Sequence, residues 1–390
     1  MRERLGILFA VSAAALGWGM GCDGSPDDDA GVLDASSSMD ASSTDDAGET
    51  AMDSGSSPDG GLDGGEAADA CMPVASAAAP LPLDVMILVD QSGSMDDPVA
   101  GGGTKWIAMQ MALSQHLDRA DLGPTSFGVQ YFALANTMCP SSCITDVDCG
   151  GCGPCLFGSC LGAGGDSCNA ADYATPEVEV AALPGVRALI VTSLANHAAS
   201  TASPTLPALT GVLQHARALA DASPTHRVGV LLITDGYPTE CGTEVGDVYA
   251  VAAAALTDGT SPIRTSVLAL GPTPFSTMLA VEGGTTPLDV DITMGDTRAQ
   301  ILDRLAELRA SQGVACAYAR PAGATPGLAV RYTPTGGASQ MLLRVSDEAG
   351  CPADGAGWYD GATNAIQLCA GVCATLGSDA TALVETLDGC

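Results

Sequence analysis

Basic residues are what this sequence has least of. Lys and Arg together number 14 against 46 Asp and Glu, a formal net charge of −32 at pH 7, and lysine is nearly absent. Between Arg4 and Lys105 there is no basic residue at all. Such a chain has little with which to attract nucleic acid or anionic lipid, so nucleic acid is excluded as a partner. After the first residues no run of ~18 apolar residues is free of Gly, Pro and charge, which argues against a membrane-spanning helix. Catalytic signatures are missing too. His116, His197, His215 and His226 show no H-E-x-x-H spacing and read as surface or helix residues. There is no G-x-S-x-G, no phosphate-binding loop and no G-x-G-x-x-G. The expectation is a protein that is not an enzyme.

What is present begins with an export signal over residues 1–21. Arg2 and Arg4 supply the positive start, Leu5 to Leu16 the apolar stretch, and Gly19-Met20-Gly21-Cys22 the end. A small residue before Cys22 resembles the bacterial lipoprotein cleavage site, although Gly19 stands where that family prefers Leu. The resemblance implies lipidation of Cys22 and a membrane link through that anchor. It places the protein outside the cytoplasm in a bacterial cell envelope, at the outer membrane or cell surface. Residues 22–70 are Asp, Gly, Ser and Ala with almost no larger apolar side chain. They cannot bury enough surface to offset ordering and are expected to form a disordered acidic tether reaching roughly 40 Å. The chain has 15 Cys. Lipid on Cys22 leaves an even set, and an oxidising compartment lets these persist as disulfides.

With 390 residues and 46% hydrophobic content, about two domains can form around real cores. Over residues 71–315 strands and helices alternate. Asp84–Val89, Phe127–Ala133, Val178–Leu183, Val228–Ile233 and Arg264–Leu270 read as strands. Lys105–Leu117, Pro184–His197, Leu206–Ala222, Val245–Leu256 and Thr297–Ser311 read as helices. Such alternation implies a mainly parallel sheet covered on both faces, with ligands beyond the carboxyl ends of its strands. Residues 137–170 interrupt the pattern with seven cysteines: Cys139, Cys143, Cys149, Cys152, Cys155, Cys160 and Cys168. Cys149-x-x-Cys152-x-x-Cys155 also fits zinc spacing, but export favours disulfides. Residues 316–390 read as a small, disulfide-bonded, β-rich region in which Cys351, Cys369, Cys373 and Cys390 could supply two bridges.

The most informative stretch is Asp90-Gln91-Ser92-Gly93-Ser94, directly after the apolar run Val85-Met86-Ile87-Leu88-Val89. A D-x-S-x-S turn at the end of a buried strand offers one carboxylate and two hydroxyls to one point, a hard-oxygen set suited to Mg²⁺. These residues resemble the metal-ion-dependent adhesion site (MIDAS) of von Willebrand factor A (vWA) domains. Ser203-Pro204-Thr205 resembles the second loop of that family, with Thr205 in the ligand position. Members usually show Gly-Gly-Thr-Pro-Thr there, and those glycines are missing. Leu231-Leu232-Ile233-Thr234-Asp235-Gly236 resembles the third loop, with Asp235 in the acidic position. Asp96 and Asp97 are expected to cap the following helix.

The resemblance covers about Leu83 to Ser311 without the Cys-rich insertion. It implies a Rossmann-like vWA domain, with a six-stranded, mainly parallel sheet flanked by helices. It implies a metal site of Asp90, Ser92, Ser94, Thr205 and Asp235 for Mg²⁺, or Mn²⁺ or Ca²⁺ in its place. The open position on the ion would take an Asp or Glu carboxylate of a protein ligand. Non-binding scaffolding in the envelope, or service as a non-catalytic partner subunit of an enzyme complex, are the alternatives. In the vWA topology the insertion falls in the hairpin between the second and third strands, at the metal end, so Cys143 to Cys168 would form a partner-binding rim. By the same topology Cys71 would join Cys316, because the domain's termini lie close. Cys241, six residues after Asp235, would join Cys139.

Overall fold

The computed structural model describes residues 74–132, 134–135, 140–149, 154–160, 165–199, 202–259, 261–361, 364–379 and 381–388. The signal, the tether and Cys22, Cys71, Cys139, Cys152 and Cys390 lie outside the described residues.

The chain enters through an exposed strand, β1 (Val74–Ala77), and then lays down β2 (Leu83–Asp90) and β3 (Thr125–Phe132). A small ribbon of β4 (Cys155–Leu156) and β5 (Ser159–Cys160) sits inside the Cys-rich segment. The main sheet is completed by β6 (Val178–Ala182), β7 (Arg227–Thr234), β8 (Arg264–Leu270) and β9 (Leu288–Val290). Its spatial order is β6-β3-β2-β7-β8-β9. Strand β6 runs antiparallel at the edge and every other pairing is parallel. This is a Rossmann-like sheet of the kind the vWA resemblance implies, with the third strand of the domain reversed at its border.

Strands β2 and β7 lie at the centre, and every residue in them is buried. Their aliphatic runs lack the polar alternation of a half-exposed strand because both faces are covered. The two-residue period then deals alternate side chains to two cores. Val85, Ile87 and Val89 join Trp106, Met109 and Ile301 on one face; Met86 and Leu88 join Leu209, Val212 and Phe275 on the other. The first face is packed by α1 (Lys105–His116), and the other begins with the single turn α2 (Ala170–Tyr173). Helices α3 (Arg187–Asn196), α4 (Thr205–Ala222) and α5 (Val245–Thr257) follow, then α6 (Pro274–Glu282), α7 (Thr297–Ala306) and α8 (Leu308–Ser311). The helix expected as one piece over Thr297–Ser311 therefore breaks at Glu307. Helix α6 and the three-residue strand β9 are additional to the sequence reading. Helix α6 does carry a start signal: Thr273 and Ser276 form a capping box and Pro274 occupies the first helical position.

A second sheet, ordered β1-β15-β11-β12-β13-β14-β10, closes the C-terminal region. Its later strands are β10 (Ala317–Tyr318), β11 (Ala329–Thr333), β12 (Gln340–Arg344), β13 (Gly357–Asp360), β14 (Ile366–Leu368) and β15 (Leu383–Asp388), with α9 (Ala370–Ser378) before the last. Strand β1 pairs antiparallel with β15, so residues 74–77 belong to this sheet rather than to the six-stranded sheet. Trp358 and Ile366 centre its core. Ala317 and Ala365 pack into the core on one face of the six-stranded sheet, so the tail is continuous with the domain before it.

Both disulfides inferred from the resemblance are corrected. Cys316 bonds Cys373, not Cys71: Cys316 lies in the core of the second sheet and Cys373 packs against that core. Cys241 bonds Cys168, not Cys139. In the tail Cys351 bonds Cys369. Within the insertion Cys143 bonds Cys155 and Cys149 bonds Cys160, which removes Cys149 and Cys155 from the zinc reading.

Of the two readings given for His116, surface or helix, the structure bears out the helix: it ends α1 and is buried, 2% exposed and edge-on to Phe127. Desolvation, reinforced by Arg119, pushes its pKa from 6.5 down to about 4. The native state thus binds fewer protons than the unfolded chain between those values, and stability falls as pH drops from 6.5 towards 4. Two to three pKa units correspond to about 3 kcal/mol. Denaturant titrations of His116→Leu should lose that part of the acid sensitivity. A pH profile parallel to the parent's would exclude His116 as its source.

Candidate metal centre

The paired register of the central strands explains why distant residues meet. Val89 of β2 lies opposite Ile233 of β7. Asp90 and Thr234 therefore leave the sheet side by side. The chain moves from β2 outward through β3 to β6, then returns to β7 and moves the other way. The crevice above β2 and β7 is the switch point where open parallel sheets bind ligands.

Asp90 is fully buried. One carboxylate oxygen accepts the backbone N–H of Ser92 at 2.7 Å, closing an Asx turn, and the other accepts the Thr234 hydroxyl at 2.6 Å. The turn continues into a short 3-10 segment, Gly93–Asp96, whose Met95 is buried as an anchor. Ser92 and Ser94 then face the third loop. Their hydroxyl oxygens are 3.1 Å apart, and Asp235 Oδ1 accepts from Ser94 Oγ at 2.9 Å and from Ser92 Oγ at 3.5 Å. The structure thus gathers four of the five expected residues into one oxygen cluster, open to solvent at Ser94.

Thr205 is nearby in the fold but apart in bonding. It opens α4, is buried, and donates to the Ser203 carbonyl at 3.4 Å. Among the described residues it has no hydrogen bond to the other four. Its loop lacks the usual glycines and is held from outside instead. Ser203 N–H donates to Thr239 Oγ1 and accepts Thr239 N–H at its carbonyl, while Ala202 N–H donates to Asp166 of the insertion. The Cys168–Cys241 bond joins the insertion to the third loop as well. On the other side, His197 bonds Gln91 and Glu177, each at 2.6 Å, and stacks on Tyr131. The segment leading to the second loop is thereby fastened to the residue after Asp90.

The sequence reading missed the parts played by Asp97, Lys105 and Thr234. Asp97 caps no α-helix, since Thr104 is the N-cap of α1. It pairs at 3.2 Å with Lys105, whose ammonium also lies 2.7 Å from Asp235 Oδ2. Thr234 was read only as part of the third motif, yet its hydroxyl holds Asp90.

The donor set fits a hard divalent cation. All the atoms are carboxylate or hydroxyl oxygens. Among the described residues no Lys, Arg or His pairs with Asp90, and burial, partly offset by the Thr234 and Ser92 hydrogen bonds, pushes its pKa from 3.8 up to about 6. A carboxylate so placed lacks a countercharge at neutral pH, which is what a bound ion supplies. In a loaded site Asp90, Ser92, Ser94 and Asp235 would hold the ion, with Thr205 at its border.

No family model matches this chain, and no curated protein sequence matches it either. Solved structures do resemble it in fold. The SpRpn10 vWA domain is 9% identical, with a TM-score of 0.36 over 60% of this chain and 98% of that one. An aerotolerance-related membrane protein of Bacteroides fragilis is 15% identical, with a TM-score of 0.35 over 60% and 98%. A manganese-loaded TRAP protein of Plasmodium vivax is 14% identical, with a TM-score of 0.34 over 60% and 76%. Likeness this distant says nothing by itself about what the chain binds.

Proposed function

We propose that this protein is a divalent-metal-dependent adhesion or protein-interaction module, non-catalytic, on an exported and lipid-anchored envelope protein. The observation that carries the reading is the oxygen cluster of Asp90, Ser92, Ser94 and Asp235 at the switch point, built around a buried carboxylate without a cationic neighbour. Mg²⁺, or Mn²⁺ or Ca²⁺ in its place, would supply an electron-poor centre with a position left for an Asp or Glu carboxylate of a protein ligand. The chain's own part is to orient the oxygens. Thr234 and the Ser92 N–H fix Asp90, and the two serine hydroxyls fix Asp235.

Two features support an outward-facing role. The insertion reaches the second and third loops through Asp166 and Cys168, and it presents Ile144, Val147 and Phe157 almost fully to solvent. Apolar side chains that exposed beside a polar centre suit a ligand-contacting rim. The five disulfides among the described residues suit an oxidising compartment. No helix among the described residues is long and apolar enough to cross a membrane; the proposed attachment through Cys22 rests on the lipoprotein-like Gly19-Met20-Gly21-Cys22 of the sequence. Ser92 and Ser94 hydrogen-bond to Asp235 and each other rather than to a histidine, which suits ligand atoms better than nucleophiles.

The test is adhesion of beads carrying the full oxidised chain to envelope preparations, with Mg²⁺ or with EDTA. Adhesion lost in EDTA and in Asp90→Ala supports the reading. Adhesion indifferent to both supports a scaffold instead. Removal of Cys143–Cys168 with undiminished adhesion would exclude the insertion as the rim.

A further inference from the structure

Lysine occurs once in 390 residues, at position 105, whereas arginine occurs 13 times. That lysine is 6% exposed and opens α1 directly beneath the metal site. Its ammonium has three protons and three acceptors: Asp235 Oδ2 at 2.7 Å, Asp97 Oδ2 at 3.2 Å and the Ser94 carbonyl at 3.2 Å. A compact ammonium can be enclosed this way, whereas the broad planar fork of a guanidinium has a different shape and reach. The two oxygens of Asp235 are consequently divided. Oδ1 faces the hydroxyls of Ser92 and Ser94, and Oδ2 faces the ammonium.

The division changes the charge of a loaded site. Asp90 and Asp235 carry two negative charges, enough to neutralise a divalent ion. Lys105 adds one positive charge on the same Asp235 carboxylate. Asp97 is largely exposed, so solvent screens most of its contribution. The ion, the two buried carboxylates and the ammonium together leave a positive excess that an incoming carboxylate cancels.

We propose that Lys105 is a built-in counter-ion that divides the affinity of the site, weakening the bare divalent ion and strengthening the carboxylate that completes it. The proposal rests on the metal-dependent reading above and names what makes the site demand an anionic ligand. Lys105 touches neither the ion nor the incoming carboxylate; it acts through Asp235 as a positioning residue. Its presence also gives the third loop a partner before any ion arrives.

The experiment is a Mn²⁺ titration of the full oxidised chain by calorimetry. Acetate is then added at saturating Mn²⁺, with loss of metal-bound water followed by proton relaxation. Lys105→Met and Lys105→Gln are compared with the parent, the Gln variant keeping a donor for the Ser94 carbonyl. Both variants should bind bare Mn²⁺ about tenfold or more tightly than the parent, and both should need several-fold more acetate to displace water. Equal or weaker Mn²⁺ binding in both variants, with the parent binding normally, would overturn the proposal and make Lys105 a brace for the loops. Tighter Mn²⁺ binding with unchanged acetate dependence would overturn its second half. Failure of the parent itself to bind Mn²⁺ would overturn the metal reading and this proposal together.

Discussion

Asp90→Ala should weaken Mn²⁺ binding by at least ~100-fold, since loss of even an outer-shell partner costs a metal site 10–100-fold and Asp90 is a ligand in this scheme. The companion variant, Asp90→Asn, separates binding from folding. Asn can still accept the Ser92 N–H and donate to Thr234 Oγ1, so the turn survives. Burial raises the Asp90 pKa from 3.8 to about 6, so the native state holds more protons than the unfolded chain between those values. Stability of the metal-free protein therefore falls as pH rises through that window, and the penalty persists at pH 7. About two pKa units correspond to roughly 3 kcal/mol. In EDTA at pH 7.5 Asp90→Asn should melt above the parent. With Mn²⁺ the order should reverse, because only the parent gains from the ion. A metal-free Asp90→Asn that melts well below the parent would mean that Asp90 has a countercharge the geometry does not reveal.

Gly211→Ala should be the most damaging of small substitutions away from the site. Gly211 lies on α4 where α2 crosses it. A Cβ there would sit 2.2 Å from the Ala170 carbonyl oxygen, 2.8 Å from Tyr173 Cβ and 2.9 Å from the Ala174 nitrogen. Two of those atoms are backbone and cannot rotate away, so α2 must move off α4. Overpacking of this kind costs about 1–3 kcal/mol, and the backbone clash puts this position towards the upper end. The movement reaches function because Ala170 follows Cys168, which tethers the insertion to the third loop. Denaturant titration should show the loss in the oxidised protein, and limited proteolysis should begin in the insertion. An Ala variant as stable as the parent would mean that the α2–α4 contact is looser than the close approach implies.

The parts of the fold that sequence made legible are those with long, regular patterns. Val85–Val89 and Leu231–Ile233 announce buried strands because nothing polar interrupts them, and the motif residues follow directly from where those strands end. The parts that stayed hidden depend on contacts between distant segments. Strand β9 is three residues long and has no pattern of its own; it exists because β8 offers it an edge. Strand β1 belongs to the second sheet because β15, three hundred residues later, pairs with it. Cysteine pairing failed for the same reason. Cys241 was rightly expected to bond a cysteine of the insertion, but choosing Cys168 over Cys139 requires knowing that α2 docks on α4. The site shows both sides. Asp90, Ser92 and Ser94 were readable from the D-x-S-x-S turn, and Asp235 from the resemblance to the vWA third loop. Thr205 occupies the matching position without joining their hydrogen bonds. Lys105 carried a signal in plain sight, a lone lysine in an arginine-using chain, whose meaning appears only when its ammonium is seen against Asp235.

Anomalous diffraction at the manganese edge from crystals of the oxidised chain grown with Mn²⁺ tests the central claim most directly. The expected result is a single strong peak within coordination reach of Asp90, Ser92 and Ser94, with Asp235 beside it. A peak elsewhere, or none at saturating Mn²⁺ with these side chains well ordered, would contradict it.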